Sequence, residues 1–248
     1  MIKLKTADEI NRIRDASKLL AETHMELEKM VKPGIRTEEL DHFAADFIRK
    51  RGGAPAFLNY MGYPASLCVS INEEVIHGIP GKRIIKEGDV VSMDLGVELA
   101  GYYSDMARTL AAGRVSEASQ ILIDVTRECL YRGIEEVKPK KRIHDISNAV
   151  YSHATAHGFG VVREYCGHGV GYSQHEDPQI PNYVSRGANP RLKKGMVLAI
   201  EPMINAGGAH VTLMDDDWTV VTEDGSLSAH WEHTVVVFED HAEILTEL

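Results

Sequence analysis

Cysteine, tryptophan and long apolar runs are all scarce in this 248-residue chain, and each scarcity closes off a class of proteins. The three cysteines, Cys68, Cys129 and Cys166, are odd in number and none belongs to a CxxC pair. That excludes a disulfide framework and argues against a structural zinc site; reduced thiols in a cytosol are the economical reading. The longest uninterrupted apolar run is Met196–Ile200, far short of the ~20 residues a membrane-spanning helix needs. Charged residues break up the first ten positions before any signal-peptide core can form. A soluble cytoplasmic protein without a membrane partner is expected. Positive charge is also short, with 27 Lys and Arg against 37 Asp and Glu for a net charge of −10. A uniformly basic face for DNA or RNA phosphates is therefore excluded, although a local basic patch is not.

What is present describes an ordinary globular chain, 44% hydrophobic and 26% charged, long enough to bury a core without covalent staples. Thr6 and Glu9 form a capping box, and Ile10, Ile13, Leu20, Leu27 and Val31 recur at helical spacing until Pro33-Gly34 ends the run. A second helix is predicted from Thr37 to Gly52-Gly53, followed by strands at Leu67–Ile71, Val90–Leu95 and a segment through Tyr102-Tyr103. Helices return over Glu117–Lys138 and Ile143–His157, and strands follow at Met196–Met203, Trp218–Thr222 and Trp231–Phe238.

Helix, helix, strands thus occurs twice, and two segments repeat with it. Val31-Lys-Pro33 returns as Val137-Lys-Pro139, and Lys86–Asp94 aligns with Lys193–Glu201 at an offset within one residue of the first. The second match puts Asp94 and Glu201 at equivalent strand positions. The pattern predicts one α+β domain over 1–248, made of two pseudo-twofold halves, roughly 1–112 and 113–248, with a shared site between them.

Carboxylates in apolar strands are costly unless compensated, yet Asp94, Asp105, Glu201 and Glu232 all interrupt or border such strands. Each alone reads as a strand end, a cap or an ion pair; four together are most simply accommodated by bound divalent cations. Of twelve histidines, nine (His24, His42, His144, His153, His157, His210, His230, His233 and His241) read as structural. His168 stands apart because its flanking glycines, in Cys166–Gly171, would let the backbone bend and a ligand approach. His175 and His77 join it by their surroundings, Gln174–Pro178 and Ile76–Pro80.

The set His77–Pro80, Ser92–Gly96, Asp105, Cys166–Gly171, His175–Gln179, Ile200–Met203 and Ser226–Ala229 with Trp231–Thr234 resembles type I methionine aminopeptidase, in order and over essentially the whole chain. The resemblance implies the two-halved pita-bread fold, curved around an antiparallel sheet. It implies a dinuclear metal centre with Asp94, Asp105, His168, Glu201 and Glu232 as ligands, Asp105 and Glu232 bridging. Four carboxylates and one imidazole suit Mn, Fe(II), Co or Zn. A metal-activated water would attack the scissile carbonyl. His175 would stabilise the oxyanion, His77 would assist the departing amide nitrogen, and Glu201 would shuttle the proton.

The expected substrate is the N-terminal methionine of a nascent polypeptide with a small second residue. Tyr60, Tyr63, Cys68 and Trp218 match family positions of the methionine pocket. Phe57 stands where some members carry cysteine, and Gln174 where a large apolar residue is common, so Gln174 is expected to alter pocket polarity.

Two other readings remain open. An Xaa-Pro aminopeptidase of the same fold usually carries a sizeable extra N-terminal domain, and this chain is expected to begin directly at the catalytic unit. A non-catalytic module binding protein or RNA should have lost ligands, and all five are present. The basic run Lys138–Arg142 reads as a solvated connector between helices, with transient ribosome contact as the alternative. The resemblance also implies a monomer.

Overall fold

The computed structural model describes all 248 residues and begins with the capped helix that the sequence predicts. In α1 (Ala7–Met30) the Thr6 hydroxyl accepts from the Glu9 amide, and the Glu9 carboxylate accepts the Thr6 amide at 2.8 Å. Two of the helix's orphan donors are thereby satisfied. Helix α2 (Thr37–Lys50) follows. Both helices lie on an antiparallel sheet built around Val90–Leu99, which pairs with Ala54–Pro55, Cys68–Ile71 and Tyr102–Ala111. Leu20, Leu27, Leu40, Ile48, Met93 and Leu95 meet in the core between them.

The second half repeats this plan. Helices α3 (Glu117–Glu135) and α4 (Ile143–Ala156) pack by way of Leu130, Ile143 and Ile146 against a five-stranded antiparallel sheet. Its strands run, in spatial order, Ala242–Ile244, His233–Val237, Val197–Ile200, Gly167–Gly169 and Glu176–Ile180. Two smaller three-stranded sheets complete the molecule, one of which pairs Glu74–Ile76 from the first half with Val220–Thr222 from the second. The halves therefore interlock.

One predicted strand turns out to be broken and another, Trp231–Phe238, begins only at His233; both departures matter. Met196–Met203 divides into Val197–Ile200 and Met203–Asn205, which belong to different sheets, because Pro202 has no N–H to continue a ladder. Trp231-Glu232 likewise separates Ser228–His230 from His233–Val237 as the chain crosses between the same two sheets. Glu201 and Glu232 thus occupy the two corners at which strands change sheet.

The corners are sealed to the first half along Tyr102–Ala111. The Thr109 hydroxyl donates to the His230 carbonyl at 2.7 Å, the Glu232 amide donates to the Ala107 carbonyl at 2.9 Å, and the Thr234 hydroxyl donates to the Asp105 carbonyl at 2.8 Å. At the far edge the N-terminal segment is tied down by Lys5. Its amide donates to the Gly195 carbonyl at 2.7 Å, and its ammonium forms a fully buried ion pair with Glu176 at 2.7 Å. Burial lowers the Lys5 pKa, so the partner is what sustains the charge there.

Lys5→Ala leaves Glu176 buried without its counter-charge. It is expected to cost about 3 kcal/mol, read as a lower midpoint of urea unfolding.

Candidate metal centre

Directly opposed residues of neighbouring strands share a face, and in the first half that rule places the acids. Asp94 lies opposite Ala107 and Asp105 opposite Gly96, so both carboxylates point to one side of the hairpin, with Cys68 opposite Asp94 on the next strand. Glu201 and Glu232 reach the same space from the sheet-crossing corners, and His168 comes from Gly167–Gly169.

The His168 Nδ1 donates to the Gly169 carbonyl at 2.9 Å, which fixes the tautomer and leaves the Nε2 lone pair free. That Nε2 lies 3.5 Å from Asp105 Oδ2 and 3.4 Å from Glu201 Oε1. One ligand atom each from Asp105, His168 and Glu232 falls within 4.8 Å of the others. Asp94 Oδ1 and Glu232 Oε1 are buried with no hydrogen-bond partner. Burial and mutual repulsion push the Asp94 and Glu232 carboxyls well above the usual range. Burial raises Asp105 to about 7 and Glu201 to about 8. Acids so placed resist ionisation together unless a cation neutralises them, and two orphaned carboxylate oxygens are what a hard or borderline divalent ion would use.

The five residues form the floor of a cavity of about 330 Å³. Its walls are Phe57, Tyr60, Met61, Tyr63, Cys68 and Trp218, with His77 and His175 beside the floor. Tyr63 is locked by donating to the Leu67 and Gly78 carbonyls at 3.2 and 3.0 Å, and Trp218 packs edge-on against it. His77 adopts a left-handed φ of 60°, which turns its ring towards Tyr165 and Trp218. His175 stacks against Tyr60, is hydrogen-bonded to its hydroxyl at 2.9 Å, and lies 4.2 Å, ring to ring, from His168. Burial lowers the His77 pKa to about 4 and that of His175 to about 3. Both rings are therefore neutral at pH 7, each with one N–H to donate.

Residues 11–239 match metallopeptidase family M24. Methionine aminopeptidase 1 of Bacillus subtilis is 50% identical over 248 residues, covering all of both chains. The crystal structure of methionine aminopeptidase from Rickettsia prowazekii superposes with a TM-score of 0.97 at 43% identity, again over the whole of both chains. The chain belongs to the methionine aminopeptidases of metallopeptidase family M24. A prolidase from Pyrococcus furiosus, 24% identical with a TM-score of 0.77, is spanned by this chain over only 65% of its length and shares the fold alone. The fold is the two-halved pita bread, and membership of this metallopeptidase family brings use of a divalent metal.

Within this aminopeptidase the site departs from the sequence reading at three places. Gln174 does not line the cavity. Its side-chain amide donates to Asp105 Oδ2, and its Oε1 is buried without a partner. Room for it exists because position 96, opposite Asp105, is glycine; a Cβ there would lie 2.7 Å from Gln174 Oε1 and 2.8 Å from Phe57 Cε1. Gln174 thus bears on a floor carboxylate, and its expected effect on pocket polarity is corrected. The glycines around His168 serve close strand packing, since a Cβ at Gly167 would lie 2.4 Å from the Ala199 carbonyl and one at Gly169 2.3 Å from that of Asp177.

His230, expected to be merely structural, is fully buried with Nε2 3.6 Å from Glu201 Oε2. A signal for it existed, because extended residues two apart share a face and His230 precedes Glu232 by two. His233 points away, bonded to the Thr246 hydroxyl at 2.8 Å, as alternation requires.

Gln174→Leu removes a donor from Asp105 while preserving bulk. We expect a 10- to 100-fold loss of metal affinity, roughly the effect of deleting an outer-shell partner, with the Michaelis constant for a Met-Ala-Ser peptide little changed. Metal retained after graded chelator dialysis measures the first, and steady-state kinetics at saturating metal the second.

Proposed function

We propose that this chain removes the N-terminal methionine from newly made polypeptides whose second residue is small. The observation that carries the reading is the convergence of four buried or nearly buried acids and one tautomer-fixed imidazole on the floor of an apolar, aromatic-walled cavity, beside two neutral histidines. Asp94, Asp105, His168, Glu201 and Glu232 would hold a pair of divalent ions, and Mn, Fe(II), Co and Zn all suit the donor set. When bound, the ions supply an activated water and Lewis-acid stabilisation of the carbonyl.

The protein's own groups do the rest. The substrate's unbranched thioether side chain lies along Phe57, Tyr60, Tyr63, Cys68 and Trp218, where a polarisable sulfur packs well against rings. The free α-amine approaches the carboxylate floor, so internal peptide bonds, which have no such cation, do not register. His175 donates its N–H to the scissile carbonyl oxygen as negative charge develops there, oriented by Tyr60. His77 hydrogen-bonds the scissile amide nitrogen. Glu201 carries the proton from water to the leaving amine, with His230 packed beside it.

The whole of residues 1–248 acts as one catalytic unit, monomeric and cytoplasmic, where its three unpaired thiols persist. The run Lys138–Arg142 serves as a connector between α3 and α4. Lys141 is paired with Glu136 at 2.6 Å, and the Arg142 guanidinium donates to the Asn189 carbonyl at 2.6 Å, which leaves less free charge for ribosomal RNA.

Metal-stripped protein should release methionine from Met-Ala-Ser only after Mn(II), Fe(II) or Co(II) is restored, and should spare Met-Leu-Ser and Ala-Pro-Ser. Cleavage of Ala-Pro-Ser instead would assign an Xaa-Pro peptidase, and folded protein inactive with every metal would assign a binding module. In the active enzyme, His175→Ala should lower kcat about 100-fold, as loss of one oxyanion donor does, without changing the metal content.

A further inference from the structure

The outer helical layer of the second half carries a second group of metal-ligating side chains that the aminopeptidase chemistry does not use. Glu128 on α3 and His153 and His157 at the end of α4 bring one carboxylate oxygen and two imidazole nitrogens within 4.8 Å of one another. None of the three lines the catalytic cavity. We propose that Glu128, His153 and His157 form a surface site for a borderline divalent transition-metal ion, Zn²⁺ above all, that clasps the C-terminal turn of α4 to α3.

Residues four apart on a helix lie one above the other, so His153 and His157 share one face, their ring centroids 4.7 Å apart. His157 is already oriented. Its Nδ1 lies 2.9 Å from the His153 carbonyl, which can only accept, so Nδ1 carries the proton and Nε2 offers its lone pair. A backbone carbonyl acting in this way is the usual outer-shell partner of a metal-binding imidazole. His153 Nε2 lies 2.8 Å from Glu128 Oε2, which places the second nitrogen and the carboxylate together without rebuilding either helix.

Two imidazoles and a carboxylate with an open fourth position suit zinc, and two histidines at this helical spacing recur in zinc sites. The location adds electrostatic support. His157 caps the C-terminus of α4, where unsatisfied carbonyls give the helix its negative end. His153 and Glu128 both retain solvent access for an entering ion, with side chains 18% and 53% exposed. Bound only by the folded state, the ion would raise stability with its concentration.

The test uses wild-type protein beside His157→Ala and Glu128→Gln, both changes on an exposed surface. Each is equilibrated with micromolar Zn²⁺, desalted, and its zinc counted per chain by atomic emission. Wild type should retain one zinc more than either variant and show an additional zinc-dependent rise in Tm that both variants lack. Circular dichroism should be identical among the three, as should Met-Ala-Ser cleavage by each protein after stripping and reloading with Mn(II). Equal zinc content in wild type and both folded variants would overturn the proposal. Because the readout is metal stoichiometry, that result would leave the aminopeptidase reading untouched.

Discussion

Four carboxylates share one water-poor floor, and their mutual repulsion is the constraint on which the rest of this structure depends. Burial holds all four above their ordinary pKa range, so a fold that brings them together needs a cation to compensate and a rigid frame to keep them from drifting apart. The frame is the seam between the halves. Thr109, Ala107 and Asp105 bind the segment from His230 to Thr234 through paired backbone and hydroxyl hydrogen bonds. Neither half could build the site alone, since Asp94 and Asp105 come from one and His168, Glu201 and Glu232 from the other.

The same frame explains where the acids sit along their strands. A carboxylate in the middle of a fully paired, apolar ladder would be stranded in the core, so two of the four occur where the ladder stops. Pro202 ends one strand beside Glu201, and the passage through Trp231-Glu232 ends another. The neutral state of His77 and His175 follows from the burial that disfavours a positive charge on either ring. A floor that demands cations is thus flanked by imidazoles that do not supply one, which leaves the charge to metal and substrate amine.

Stability and function meet again in the loop that carries His175. Glu176 accepts the amides of Tyr172 and Ser173 at 2.6 and 3.1 Å and is itself neutralised by Lys5. The N-terminal segment therefore sets the base of the turn from which His175 faces Tyr60. Gln174, in the same turn, restrains Asp105 from above. A short stretch of chain accordingly places His175 at the cavity, anchors the turn through Glu176 and restrains Asp105 through Gln174, each directed to a different neighbour.

Much of this was legible in the sequence by itself. The α1 capping box, all four helices and the duplicated order of elements rest on local spacing, and the four floor acids on their apolar setting, whereas the place of His168 among them and the aromatic walls came with the resemblance to a known family. Other features were decided only in three dimensions, because their meaning lies in a partner distant along the chain. His230 reads as an isolated histidine until Glu201 is placed against it, and Gln174 reads as a pocket residue until Gly96 opens the space above Asp105. Lys5 reads as one lysine in a charged terminus until Glu176 closes over it. Periodicity and motif determine which face of an element is apolar and which residues can ligate, whereas the direction of each polar side chain at the site is set by the strand or loop that happens to pack opposite.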